Sequence, residues 1–225
     1  MGGSSYDNDY KVAIAKQGGI GAVRAAMDRH RESAGVQQQG CGALRSLALN
    51  NADNKAAIAA QGGIGTVLGA MGGHPESAGV QEKGCGALRI LALNNDANTA
   101  AIAAQGGIGA VRAAMDRHRE SAGVQEEGCG ALRNLAANDA NKAAIVEQGG
   151  IDAVCTAMGG HPESAGVQEE GCGALRILAS CSRDIQQRVK QTGAEETVRR
   201  AMASSGAKAN TKKWGQELLD VLSHV

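Results

Sequence analysis

Arginine and carboxylate side chains recur along this 225-residue chain at a nearly constant interval, and they are the residues best suited to chemistry. One row contains Arg45, Arg89, Arg133 and Arg176, and a second row contains Gln38, Glu82, Glu126 and Glu169. Arginine offers a planar fork for carboxylates and glutamate offers acceptor oxygens, so the rows favour binding of a mixed-charge partner strand. The competing interpretation is ion pairing between repeats on a solvated face, worth roughly 0 to 1 kcal/mol per pair.

The same repetition argues against catalysis and metal binding. A residue present in every repeat is not a unique nucleophile or base, and the non-repeated Cys155, Cys181 and His224 form no recognisable catalytic set. A histidine also recurs once per repeat, but stacked copies would lie about 8 to 10 Å apart, too far for one metal centre. We therefore predict a non-enzymatic protein with no catalytic residues, no metal and no cofactor.

The rows follow an internal repeat whose clearest segment is Gly-Cys-Gly-Ala-Leu-Arg. Copies begin at Gly40, Gly84, Gly128 and Gly171, which gives spacings of 44, 44 and 43 residues. A period of this length predicts a stacked array with one continuous core. We divide the chain into a flexible leader, 1–7, and a single domain, 8–225, whose units are 8–50, 51–94, 95–138, 139–182 and a C-terminal capping repeat, 183–225.

The copies are also related in pairs. Residues 20–37 are identical to residues 108–125, and residues 71–82 are identical to residues 158–169. This indicates either duplication of a two-repeat block or deliberate construction, and the sequence leaves both origins open.

Each full unit is predicted to contain three helices and no strand. The first is short, follows Asn and Asp residues that can cap it, and stops at a Gly-Gly pair such as Gly62-Gly63. The second has apolar residues at spacings of three and four, as at Ile20, Val23 and Met27. A serine in the following polar loop is expected to cap the third helix.

The two glycines of each third helix need a physical reason, because each costs about 1 kcal/mol relative to alanine inside a helix. The first lies on the core face, where close helix packing explains it. The second lies on the same side of the helix as the arginine row. We expect these second glycines to keep the floor of a groove open for a ligand backbone or another protein surface; they are Gly42, Gly86, Gly130 and Gly173.

The fifth unit is different, since it is locally basic and carries the single tryptophan. We align Trp214 with the first glycine of the other third helices and interpret it as a bulky residue that closes the core. Tyr10 is assigned the same role at the other end of the array.

Charge and hydropathy narrow the classes of partner. The chain has 23 basic and 23 acidic residues, so it lacks the basic excess typical of phosphate-backbone binding, and we expect no nucleic acid partner. No apolar run is long enough to span a bilayer, which predicts no membrane partner. We expect a soluble protein of the cytoplasm, with the nucleus as the alternative.

The pattern resembles the armadillo-repeat (ARM) family. A period in the low forties, the Gly-Gly turn and the segment Val-Gln-Glu-x-Gly-Cys-Gly-Ala-Leu-Arg-Asn-Leu-Ala carry the resemblance over about residues 8–225. It implies an all-α, right-handed α-solenoid of about five three-helix repeats. In that family the third helices line a concave groove for extended peptides or partner proteins.

The resemblance has departures at the groove. In peptide-binding members a tryptophan before the Ala-Leu pair and an asparagine one turn later hold a peptide backbone. Here glycines stand at the tryptophan positions, and Asn134 alone matches among the asparagine positions. These departures argue against recognition of basic peptides in the manner of nuclear import receptors.

We therefore expect a protein–protein interaction scaffold that binds a peptide or a partner protein along the groove of the third helices. The alternative is a structural or engineered repeat scaffold with no ligand of its own. We also expect that this chain can self-associate, because thin end caps can leave apolar surface for a second copy.

Overall fold

A computed structural model of the chain describes the backbone of residues 3–224 and the side chains of residues 8–224. Over that range the chain forms fifteen helices and no strands, in five units of three. In chain order the helices are α1 (Gly3–Lys16), α2 (Gly19–Arg29), α3 (Ala34–Ala48), α4 (Ala52–Ala60), α5 (Gly63–Gly73), α6 (Ala78–Ala92), α7 (Asp96–Ala104), α8 (Gly107–Arg117), α9 (Ala122–Leu135), α10 (Asp139–Glu147), α11 (Gly150–Gly160), α12 (Ala165–Ala179), α13 (Arg183–Gln191), α14 (Ala194–Ala203) and α15 (Ala209–Leu222). The predicted all-α, right-handed α-solenoid is confirmed.

The first helix starts earlier than the sequence indicates. Helix α1 begins at Gly3, inside the segment 1–7 for which we predict a flexible leader. Met1 and Gly2 lie outside the described residues.

The turn between the first and second helices requires both of its glycines. Gly62 has φ +80°, in the left-handed region that glycine enters without steric cost. Gly63 has helical geometry, but a Cβ on it would lie 2.8 Å from the carbonyl oxygen of Ile58. The Gly-Gly pair therefore sets the sharp angle between α4 and α5, and the first, third and fourth units repeat it. In the fifth unit Gly193 keeps the positive φ, and Ala194 replaces the second glycine.

The predicted caps are present. The Ser33 hydroxyl accepts a hydrogen bond from the Val36 amide at the start of α3, and the Asn51 side chain accepts one from the Asn54 amide at the start of α4. Equivalent serines cap α6, α9 and α12, and equivalent asparagines cap α7 and α10, so each of these helices begins at a residue that satisfies one of its free amides.

The core lies between stacked units and is built from aliphatic side chains. The third helices pack on one another in the order α3, α6, α9, α12 and α15. Leu88 and Leu91 are fully buried between them. A Cβ on Gly84 would lie 2.5 Å from Met71 Cγ, which confirms that the first glycine of each third helix permits close packing.

Two sets of buried side-chain amides donate hydrogen bonds to backbone carbonyls, one within a repeat and one between repeats. Gln81 Nε2 donates hydrogen bonds to the carbonyl oxygens of Met71 and His74, at 2.8 and 2.9 Å, and so closes the end of α5. Asn98 Nδ2, in the third repeat, donates to the carbonyl oxygens of Leu91 and Lys55, which both lie in the second repeat. The second set contributes a direct link between neighbouring repeats.

The assigned role of Tyr10 is wrong. Its side chain is 70% exposed and covers no core residue. Tyr10 occupies the repeat position of Asn54, and that position is buried only when a preceding unit packs against it.

No described residue lies in a helix long and apolar enough to cross a membrane.

Candidate functional site: the third-helix face

The five third helices present one continuous face, and the arginine row lies along it. Arg45 Nη2 lies 2.7 Å from Glu127 Oε1, and Arg89 Nη1 lies 3.0 Å from Glu127 Oε2. Arg89 also pairs with Glu170, whose Oε2 lies 2.9 Å from Arg133 Nη1. We call these five residues the Arg–Glu ladder, because they form one uninterrupted series of ion pairs across four repeats.

Two of the four ion pairs in the ladder, Arg45–Glu127 and Arg89–Glu170, join residues that are two repeats apart. Arg45 lies on α3 and Glu127 on α9, so their ion pair crosses α6. Two helix spacings amount to about 16 to 20 Å between axes, and the two side chains span this only on the inner side of a curved stack. The third helices therefore line the concave side of the solenoid.

The second glycines of α6, α9 and α12 make room for these crossings. A Cβ on Gly86 would lie 3.1 Å from Arg45 Nε and 3.3 Å from Glu127 Cδ. On Gly130 it would lie 2.6 Å from Arg89 Nε, and on Gly173 it would lie 2.8 Å from Arg133 Cδ.

The prediction of an open slot over the second glycines is therefore wrong for three of the four. Side chains of the neighbouring repeats cover the floor at Gly86, Gly130 and Gly173. Among these four glycines, Gly42 alone has no atom within 4 Å of an added Cβ, because no described repeat packs an arginine over it.

Burial and charge oppose each other within the ladder. The Glu170 carboxylate is almost fully buried, which raises its pKa, while the charges of Arg89 and Arg133 offset part of that rise. Its Oε2 atom lies at ion-pair distance from Arg133 but has no hydrogen bond of favourable geometry. Desolvation cancels much of the attraction in a buried ion pair, so the ladder is weak evidence for a large gain in stability.

Trp214 occupies a ladder position, not the core position that we assigned to it. Its neighbour Gly215 lies against the Met202 side chain, with an added Cβ 2.6 Å from Sδ, as the first glycines of the other units do against their methionines. Trp214 therefore aligns with Glu127 and Glu170. The predicted alignment was wrong by one residue, because the fifth unit has lost the Gly-Cys-Gly segment that sets the register.

The tryptophan ring still interacts with the same arginines that a glutamate would pair with. The guanidinium carbon of Arg133 lies 5.1 Å from the ring centroid, and that of Arg176 lies 5.8 Å from it. Arg176 also lies 3.3 Å from Glu217. Cation–π contacts thus replace ion pairs at the C-terminal end of the ladder.

The second predicted row lies beside the ladder, and each of its side chains lies at the start of the third helix of the following repeat. The row is Gln38, Glu82, Glu126 and Glu169. A Cβ on Gly123 would lie 2.5 Å from Glu82 Oε2, and Gly79 and Gly166 face Gln38 and Glu126 in the same way. A carboxylate there is favoured by the free amides of a helix N-terminus.

The last member of this row has the fullest set of partners. Glu169 Oε2 lies 2.8 Å from Lys208 Nζ, and Asn210 Nδ2 donates to Glu169 Oε1 at 2.6 Å. Burial alone would raise the Glu169 pKa, but the hydrogen bonds from Lys208 and Asn210 lower it. This carboxylate is therefore held ionised against the start of α15.

Asn134 is committed to the fold. It is buried, and its Nδ2 donates a hydrogen bond to the Arg89 carbonyl oxygen at 2.9 Å. The amide that the family pattern assigns to a peptide backbone thus binds the backbone of the neighbouring repeat.

The recurring histidines link the loops of adjacent repeats. Nε2 of His74 donates to the Arg31 carbonyl at 2.7 Å, and Nε2 of His118 donates to the Pro75 carbonyl at 2.8 Å. His161 makes the equivalent bond to Arg119. Among the described residues, no three His, Cys, Asp or Glu side chains come together in a group that could hold a metal ion.

Sequence reasoning missed both carboxylates of the ladder. Glu127 and Glu170 follow the predicted glutamates directly in the chain, and a helical wheel centred on the second glycine would have placed them beside the arginines. Lys83, at the same position in the second repeat, pairs instead with Glu82 at 2.7 Å. The curvature of the helix stack determines which carboxylate pairs with which arginine, and this curvature cannot be predicted from the sequence of one repeat.

The sequence matches the model of a known protein family. A family model described as LRRK2 ARM repeat matches residues 7–202, which is most of the chain. Among curated proteins, the sequence has no match.

Three similar solved structures are engineered or designed proteins. An engineered protein superposes with a TM-score of 0.86 at 19% identity, covering 97% of this chain and 86% of that one. The designed armadillo repeat protein YIII(Dq)4CqI gives a TM-score of 0.82 at 18% identity, over 96% and 87% of the two chains. The designed armadillo repeat protein YIII(Dq.V1)4CPAF in complex with peptide (KR)4 gives 0.81 at 17% identity, over 96% and 86%.

Proposed function

Because the chain belongs to the armadillo-repeat family, we propose that it is a non-enzymatic scaffold that binds an extended peptide or a partner protein along the third-helix face. The observation that carries this proposal is the continuous line of charged and aromatic side chains that crosses all five repeats on the concave side. A face of this kind offers a long series of equivalent contacts to an extended strand.

The partner that fits this face has charges of both signs. Arg45, Lys83 and Arg176 are partly exposed cations, and the carboxylates of Glu82 and Glu126 are partly exposed beside them. Since the glycine floor is covered, a bound strand would lie on top of the Arg–Glu ladder. Its carboxylates would compete with Glu127 for Arg45 and with Glu217 for Arg176.

A likeness in fold supports peptides as the first partners to test. The designed armadillo repeat protein that resembles this chain is in complex with peptide (KR)4. The arginines of the present ladder disfavour a purely basic strand, so we expect a sequence in which acidic residues alternate with basic ones.

The test is to select peptides from a random display library on the immobilised full chain and to measure their affinities by fluorescence anisotropy. The double variant Glu82→Lys, Lys83→Glu exchanges a partly exposed ion pair on the concave side and keeps the net charge. We expect this exchange to change the affinity of selected peptides by about three- to tenfold, as for charges at the rim of an interface.

The matched control exchanges an ion pair elsewhere. Arg112 and Asp116 lie 2.6 Å apart on α8, and both are partly exposed. The double variant Arg112→Asp, Asp116→Arg should leave peptide affinity unchanged. Equal effects of the two exchanges, or an effect of the control alone, would contradict binding along the third-helix face.

The second candidate is a repeat scaffold with no ligand of its own. The internal pairing of the ladder favours it, since Arg89 and Arg133 already have carboxylate partners within the chain. Failure of the library to yield any peptide that binds more tightly than its scrambled version would support this candidate.

A further inference from the structure

The first repeat carries an apolar surface that the other repeats bury. We call it the open face and define it by Ile14, Val23, Ala26, Val36 and Ala43, all of which are exposed or half-buried. Their counterparts in the third repeat are Ile102, Val111, Ala114, Val124 and Ala131, and all five are buried. The counterparts in the second and fourth repeats are buried as well.

The open face forms a groove between α2 and α3. Its volume is about 640 Å³, and its lining includes Val23, Met27, Val36 and Ala43. The three exposed large hydrophobic side chains among residues 8–224 all lie in the same repeat; they are Tyr10, Ile14 and Leu49. An apolar surface concentrated at one end of a soluble chain marks an interaction site.

We infer that this face binds the open face of a second copy of the chain, in a symmetric two-fold dimer. The inference is independent of peptide binding, because none of the five residues contributes to the Arg–Glu ladder. Among residues 8–224, the fifth unit has no exposed large hydrophobic side chain, and it exposes Arg199, Arg200, Lys212 and Lys213. Head-to-tail association would therefore oppose an apolar surface to a charged one.

The size of the face suits a reversible dimer. At about 1.5 Å per residue and about 10 Å per helix width, the 14, 11 and 15 residues of α1, α2 and α3 present roughly 600 Å² per copy. A pair would bury about 1,200 Å², the lower limit of stable specific interfaces.

Formal charge does not oppose the association of two copies. The zero net charge removes long-range repulsion between copies.

The test is sedimentation equilibrium of the full chain over a range of concentrations. The Ala26→Arg variant keeps a helix-forming residue at an exposed site of the monomer, but it places a guanidinium in the centre of the contact. We expect at least about tenfold weaker dimerisation, because each copy would bury an unpaired charge.

Ala25→Arg is the matched control on the same helix. Ala25 is exposed, and its counterpart Ala113 is exposed too even though a neighbouring unit covers that repeat. This variant should dimerise like the parent chain. Circular dichroism of both variants checks that each remains folded.

Hydrogen exchange gives a second measurement that does not rely on variants. Raising the concentration should slow exchange in α2 and α3 and leave α14 and α15 unchanged. A parent chain that stays monomeric, equal weakening by both arginine substitutions, or protection confined to α14 and α15 would each overturn the inference.

Discussion

The first and third repeats share eighteen consecutive residues, 20–37 and 108–125, yet differ in their surroundings. Their local structure is the same. Gln37 and Gln125 donate to the carbonyl oxygens of Met27 and Met115, respectively, at 2.9 Å. Ser33 caps α3, and Ser121 caps the equivalent helix α9. Turns, caps and helix ends thus follow from the residues themselves.

Burial does not follow from the residues. Ile14 is 48% exposed, whereas Ile102, at the same repeat position, is 0% exposed. The second repeat covers the third, and no described unit covers the first. Each unit of this array therefore completes the core of its neighbour. Identical sequences contribute differently to the free energy of unfolding at the end and in the middle of the array.

The largest expected difference concerns these two isoleucines. Ile102→Ala should lower the free energy of unfolding by about 2 to 5 kcal/mol, because it removes fully buried methylene groups and leaves a cavity. Ile14→Ala should cost less than about 1 kcal/mol, since much of that side chain already contacts solvent. Urea unfolding at a concentration that keeps the chain monomeric measures both. Similar costs would mean that the first repeat is covered in solution.

Alanine in place of the first glycine of the third helix should also destabilise the third repeat more than the first. A Cβ on Gly128 would lie 2.5 Å from Met115 Cγ in an enclosed core, so Gly128→Ala should destabilise by about 1 to 3 kcal/mol. Gly40 contacts Met27 in the same way, but Met27 borders the open groove and has room to move. Thermal unfolding should show a smaller loss for Gly40→Ala, and an equal loss would contradict this account of the open face.

Alkaline pH should affect both repeats alike. Burial raises the pKa of the Cys41 thiol from 9.0 to about 12, and it raises the pKa of Cys129 as well. As pH rises above 9.0 the unfolded chain releases these protons while the folded chain keeps them, so stability is present below that pH and is lost above it.

Removing one thiol should therefore flatten the alkaline loss by up to about 1.4 kcal/mol per pH unit. Cys41→Ala and Cys129→Ala should reduce the pH dependence of urea unfolding equally, because both thiols are fully buried. A pH dependence unchanged by either variant would show that the thiols are not the groups that titrate.

The smallest effect concerns the second glycines. Gly42→Ala should stabilise the chain by about 1 kcal/mol, since a Cβ there enters free space and alanine favours a helix. Gly130→Ala should give no such gain, because its Cβ would displace Arg89. Thermal unfolding of the two variants tests whether the ladder or an open slot occupies the glycine floor; equal stabilisation would favour the slot.

Much of the fold was predictable from local patterns. The period, the Gly62-Gly63 turn and the serine and asparagine caps each depend on residues a few positions apart, and the structure agrees with them. The site was predictable only in part. The arginine row lies on one face as its spacing indicates, but Glu127 and Glu170 were overlooked.

The alignment of Trp214 failed for a related reason. The fifth unit lacks the Gly-Cys-Gly segment, so sequence comparison had no local marker for its register. The contact between Gly215 and Met202 supplies that marker in three dimensions.

By itself, the sequence determined the repeat, the three helices of each unit and the faces on which their side chains lie, because these depend on backbone preferences and helical periodicity within one unit. Only the tertiary structure decided that Arg45 reaches Glu127 across Gly86, that Asn134 binds a neighbouring backbone and that the first repeat keeps an open face. Those outcomes depend on the curvature of the stack and on which units have neighbours. Both are properties of several repeats together, and no single repeat encodes them.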